Sequence, residues 1–142
     1  MRRSVRALAA ALPTFMLSGC FALEAALEPR ASALMQVPAQ VTMANVFDCV
    51  QSSIPTGQRG WLDTSVSRID RTHGVIETGN YSRSNLIGLR TRTVFVPEAR
   101  LLFLRLKGAG IYYTDLGVDQ AALDLRRRVG DCLAATVTGT MR

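Results

Sequence analysis

The chain has 142 residues, with 17 lysines and arginines against 11 acidic residues, three cysteines and one histidine. A (β/α)8 barrel needs roughly 250 residues and a two-domain dinucleotide enzyme about as many, so both are excluded. What remains is one small basic domain with room for a single core.

The first twenty residues read as an export signal. Arg2, Arg3 and Arg6 precede an apolar run from Ala7 to Met16, which is followed by Leu17, Ser18, Gly19 and Cys20. A cationic start, an apolar stretch of about 7–15 residues and small residues before a cut are the layout of a secretory signal peptide. Leu17-Ser18-Gly19-Cys20 further resembles the lipobox of bacterial lipoproteins. That resemblance covers residues 1–20 and implies removal of residues 1–19, diacylglycerol on the Cys20 thiol and acylation of the new N-terminus. A spanning helix would need about 20 apolar residues, and Pro13, Thr14, Ser18, Gly19 and then Glu24 interrupt this one. Two or three acyl chains hold a protein at a membrane durably where one holds it weakly. Phe21, in place of an aspartate, implies by the same resemblance an outer-membrane location facing the periplasm.

Removing the signal takes away three arginines, so 14 basic side chains face 11 acidic ones and the net charge falls from +6 to +3. The raw basicity therefore argues for no nucleic-acid partner.

Residues 20–41 are Ala-rich with Glu24, Glu28, Pro29 and Pro38, and they read as the lipidated N-terminus and a tether of at most roughly 70 Å. A small domain is expected over 42–135 and a flexible tail over 136–142. Thr42 is placed to cap a helix whose apolar face is Val46, Phe47, Cys49, Val50 and Ile54, ended by Pro55 and Gly57. Two hairpins follow. Ser65–Asp70 and Val75–Gly79 flank the turn 71–74, with Ile69 opposite Ile76 and Arg68 opposite Glu77; Leu89–Val96 and Leu101–Lys107 flank the turn 97–100. Ile111–Thr114 is a candidate edge strand. The last helix is expected to be capped by Asp119, stapled by Val118 and Leu123, and striped by Ala122, Leu125, Val129, Cys132 and Leu133. The expected fold class is α+β: four or five antiparallel strands with an N-terminal and a C-terminal helix packed on one sheet face.

With Cys20 lipidated, Cys49 and Cys132 remain. In an exported domain two such cysteines usually form a disulfide, the alternative being two buried thiols. Their spacing suits neither a Cys-x-x-Cys redox pair nor a four-ligand zinc site. His73, the lone histidine, falls in a predicted turn, which leaves no histidine for a Ser-His-Asp set and no cluster for a metal. Neither a catalytic residue nor a cofactor is selected.

The second hairpin carries the most informative pattern. Leu89, Phe95, Leu102, Leu104 and Leu106 fall on one face; Val94, Val96, Leu101 and Phe103 fall on the other, followed by Arg92 opposite Arg105 and Arg90 opposite Lys107. Like charges directly opposed destabilise a sheet unless anions join them. An apolar spot edged by Arg90, Arg92, Arg105 and Lys107 is an interface signature, though a solvated face would look the same. Arg126, Arg127 and Arg128 form a second basic cluster on the last helix, suited to solvent or to headgroups. These features lead to the expectation of a non-catalytic envelope lipoprotein, attached to the membrane through Cys20, that serves as an accessory or assembly component binding another envelope protein. The competing expectation is capture of an anionic envelope molecule or an acidic enzyme by the basic face.

Overall fold

A computed structural model describes residues 28–83, 87–108 and 117–140. They form, in chain order, β1 (Arg30–Gln36), α1 (Met43–Ser53), β2 (Val66–Asp70), β3 (Val75–Thr78), β4 (Arg90–Val96), β5 (Leu101–Lys107) and α2 (Gly117–Thr140). The strands make one antiparallel sheet in the order β1-β5-β4-β3-β2. The class is α+β, as expected. The signal, Cys20 and Ile111–Thr114 lie outside the described residues.

Both hairpin registers hold. Ile69 faces Ile76 and Arg68 faces Glu77, with a bulge between Val66 and Arg68. Val96 faces Leu101, Phe95 faces Leu102, and Arg92 faces Arg105. The β2–β3 turn needs a glycine at Gly74, whose φ is +64° and whose missing Cβ would collide with the backbone carbonyl of Phe95. That closeness lets the Phe95 N–H donate to Gly74 O at 2.9 Å, so the turn is fastened to β4.

The fifth strand is β1, inside the segment expected to be tether. It pairs with β5 over its whole length, from Arg30 opposite Lys107 to Gln36 opposite Leu101. Its inward residues are Ala31, Ala33 and Met35, half-buried under the helices, while Arg30, Ser32, Leu34 and Gln36 point outward. Small alanines on the buried side carry little hydrophobic contrast, so the alternation does not announce a strand.

The helices share the other face. α1 begins with a capping box: Thr42 Oγ1 accepts from the Asn45 N–H and Asn45 Oδ1 from the Thr42 N–H, each at 3.2 Å. It buries Val46, Phe47, Cys49 and Val50 and stops at Ile54, before Pro55. α2 starts at Gly117, two residues before the expected cap, with Asp119 inside its first turn, where a carboxylate suits the helix dipole. Val118 is buried but Leu123 is exposed, so no staple forms; Leu123 lies on the outer side of the helix. Ala122, Leu125, Val129 and Leu133 form the buried stripe, with Cys132 half-buried beside it.

α2 runs to Thr140, so the start of the expected tail is helix. Thr136 and Thr138 satisfy their hydroxyls by donating to the carbonyls of Cys132 and Ala134, each at 3.0 Å. α2 lies over β1 and β5, and α1 fills the remaining space beside α2 and β4. Phe95, Leu102, Leu104 and Leu106 close the core from the sheet side.

Arg100 fixes the β1–α1 connection. Its backbone is left-handed at φ +54°, its guanidinium stands 5.3 Å from the Phe95 ring centroid, and it donates to the carbonyls of Val37, Pro38 and Val41.

Cys49 and Cys132 are joined, as the exported-domain reading expects, with Cα atoms 5.6 Å apart. The bridge ties α1 to α2 across a sequence separation of 83 residues. By chain entropy such a loop closure stabilises the fold by about 4–5 kcal/mol, before native strain is subtracted. Replacing both cysteines with serine should lower the unfolding free energy by about 2–5 kcal/mol in chemical denaturation. In the wild-type chain both thiols should resist alkylation until a reductant is added.

Candidate interaction surface

The sheet face turned away from the helices is divided into four rows by the strand registers. The first holds Arg30, Lys107 and Arg90, and the second Ser32, Arg105, Arg92, Glu77 and Arg68. Next come Leu34, Phe103, Val94, Val75 and Asp70, then Gln36, Leu101 and Val96. The first two rows are charged, and the other two are apolar except for Asp70 and Gln36 at the sheet's two edges.

In the charged half the opposed cations meet anions from their own chain. Glu28, just before β1 and 7% exposed, has its carboxylate 3.1 Å from Arg90 Nη2 and 3.8 Å from Lys107 Nζ. The carbonyl of Arg83 accepts from both Arg90 Nη1 and Lys107 Nζ, the latter at 2.8 Å, and the Tyr81 ring lies 5.1 Å from the same ammonium. Burial, followed by the charge of Arg90, lowers the Lys107 pKa, against the pull of Glu28. In the next row Arg92 Nε stands 3.0 Å from the buried Glu77, Arg68 approaches the same oxygen at 3.9 Å, and Ser82 Oγ donates to Glu77 Oε2 at 2.9 Å.

These contacts correct the expected contact set. Arg90 and Lys107 are 1% and 6% exposed and belong to an internal network, because their counterion arrives with β1. Arg92 is half-buried against Glu77, and Arg105 alone of the four is exposed. Glu28 escapes a sequence reading because it precedes a strand that looks like linker. Glu77 could have been found: setting the two hairpins side by side puts it opposite Arg92.

Among the described residues no helix lies over the apolar half. Leu34 is 47% exposed, and Phe103, Val94, Val96 and Leu101 are half-buried around it. Arg105 and Ser32 border the patch from the row below. Apolar side chains with a cation at the rim are suited to a protein partner that brings an acidic group beside an apolar one.

His73 is the exposed turn residue expected. Its Nδ1 lies 2.9 Å from Asp70 Oδ2 and its backbone N–H donates to Asp70 Oδ1 at 3.1 Å. The His73 side chain, then its N–H, with Arg68 adding less, bring the Asp70 carboxyl down to about 2. Among the described residues no group of three or more His, Cys, Asp and Glu could hold a metal, and no helix is long and apolar enough to cross a membrane.

Glu28→Gln leaves two buried cations without their carboxylate and should cost about 3–5 kcal/mol in chemical denaturation, whereas Arg105→Glu should stay within about 0.5 kcal/mol. Asp70 should titrate by NMR with a midpoint of about 2, and His73→Ala should return it toward 3.8. Because the folded pKa is the lower one, the stability Asp70 contributes is present above the ordinary carboxylate pKa and is lost as pH falls through about 2. No protein-family model, curated protein or solved structure matches this chain.

Proposed function

We propose that this chain is a non-catalytic cell-envelope lipoprotein, anchored through Cys20, whose domain is an accessory or assembly component binding another envelope protein with its open sheet face. The carrying observation is the apolar patch of Leu34, Val94, Val96, Leu101 and Phe103, over which no helix of the described residues lies, with Arg105 exposed at its rim. The anchor rests on the lipobox-like Leu17-Ser18-Gly19-Cys20. A disulfide between α1 and α2 agrees with an oxidising compartment such as the periplasm.

A protein partner suits this face better than a small anion does. Capture of an anion would draw on the ladder of cations, and Arg90 and Lys107 are already committed to Glu28 and to the Arg83 carbonyl. In its third and fourth rows the face offers Leu34 and the half-buried Val94, Val96, Leu101 and Phe103, a surface that suits a protein side chain better than an anion.

A photocrosslinking residue placed in intact cells at Leu34, Val94 or Arg105 should give a discrete protein adduct, and one at Asp124 or Arg127 on the outer side of α2 should not. Phe103→Glu should abolish the adducts while leaving the fold unchanged by circular dichroism. Adducts of equal yield at every position, or none on the sheet face, would overturn the reading. Mass analysis of the mature N-terminal peptide tests the lipid on Cys20 separately.

A further inference from the structure

The proposed anchor and the sheet together single out one end of the domain. Antiparallel pairing gathers the start of β1, the end of β5, the start of β4 and the end of β3 at that end, with Glu28 buried among them. Seven residues, 21–27, lie between Cys20 and Glu28, and a chain of that length spans at most about 28 Å. Because β1 lies within residues 20–41, this is far shorter than a tether running to residue 41. A seven-residue strand is itself about 24 Å long, so a lipid on Cys20 keeps the Glu28 end of the sheet within about one strand length of the bilayer, while the 97–100 turn lies a strand length further along the chain's path from the anchor.

That end carries the two most exposed large apolar side chains of the described residues. Leu62 is 66% exposed and Ile87 63%. They belong to the connections that enter β2 and β4, and they are brought together at Gly88, where a Cβ would stand 3.3 Å from Leu62 Cβ. The Leu89 N–H donates to Gly60 O at 2.7 Å, which fastens the two connections to each other. The same end of the sheet also carries Arg83, exposed, and, on the edge strand β1, Arg30, whose side chain is 70% exposed even as it reaches toward Glu28. Arg59 is exposed in the same connection, and Asp63, kept ionised by its bonds to Ser65, is the countercharge there. Among the described residues the exposed charges named there are cationic on balance.

We propose that this end docks on the membrane surface, with Leu62 and Ile87 entering the headgroup region and Arg30 and Arg83 meeting lipid phosphates. The inference rests on the reading of Cys20 as lipidated. Exposed apolar groups beside basic ones are the combination that holds a protein in the interfacial layer, and a short lipid tether presents them to it at high local concentration. The Arg126–Arg128 cluster is set apart: Arg127 lies ten residues into α2, a rise of about 15 Å from its first residue, and bonds Asp124 at 3.2 Å.

The test uses the full lipidated chain, with the mass of its N-terminal peptide checked first, in vesicles of phosphatidylcholine and phosphatidylglycerol. An environment-sensitive dye is placed on single cysteines introduced by Leu62→Cys, Ile87→Cys, Leu34→Cys or Arg127→Cys, the native pair being locked in its disulfide. Spin-labelled headgroups should quench the dye at positions 62 and 87 at least about twofold more than at 34 and 127, as expected for groups in the interfacial layer. Equal quenching at all four sites, or none at 62 and 87, in a lipidated chain would overturn the docking and leave the anchor standing. An unmodified Cys20 would overturn both.

Discussion

Arg90 and Lys107 face each other across β4 and β5 with almost no access to water, and they can do so because Glu28 stands between their charged ends. Two buried cations without a carboxylate would repel each other and lose their hydration together, a cost of about 3–5 kcal/mol and so a large share of a small domain's stability. The constraint reaches past the pair. Glu28 is placed two residues before β1, so seating its carboxylate also delivers Arg30 to the edge of β5, and the strand closes along its full register. β1 in turn supplies Ala31, Ala33 and Met35 beneath α2, where the Met35 side chain lies against Gly130. The polar network on one face of the sheet and the packing on the other are therefore coupled through one strand.

The helical layer is held by a different kind of constraint. The Cys49–Cys132 bridge joins α1 to α2 directly, within the core that both helices share. Ion pairing thus sets the sheet's N-terminal edge, while a covalent link limits how far the unfolded chain can separate the two helices.

Much of this was legible in the sequence because the signals were strong and local. The hairpin registers follow from alternation about short turns, the α1 cap from Thr42, and the α2 stripe from residues at helical spacing. Three features resisted. β1 has alanines where a buried strand usually shows branched or aromatic residues, so its burial comes from neighbours rather than from its own pattern. Leu123 matches the spacing of a staple, but α2 begins at Gly117, two residues before the expected cap itself, and Leu123 lies on the outer side. The end of α2 is rich in threonine and glycine, and it stays helical because the hydroxyls bond backward along the helix and Val137 packs against the core. On the candidate surface the apolar residues were correctly grouped from register alone. Half of its cations were misassigned because their counterion is distant in sequence, with Glu28 and Arg90 separated by 62 positions.

The two proposed surfaces use different directions of the same sheet. Membrane docking uses the end of the strands where Glu28 lies, whereas protein binding uses the open face, whose apolar rows lie toward the opposite end. A domain standing on its strand ends presents its open face sideways, parallel to the bilayer normal, where a neighbouring envelope protein can reach it without displacing lipid. The apolar rows begin two residues along each strand beyond the charged ones, roughly 7 Å further from the membrane end. The internal ion pairs separate these roles: Glu28 and Glu77 hold Arg90, Lys107 and Arg92 within the chain, so the proposed protein contact falls to the patch around Leu34 with Arg105 exposed beside it.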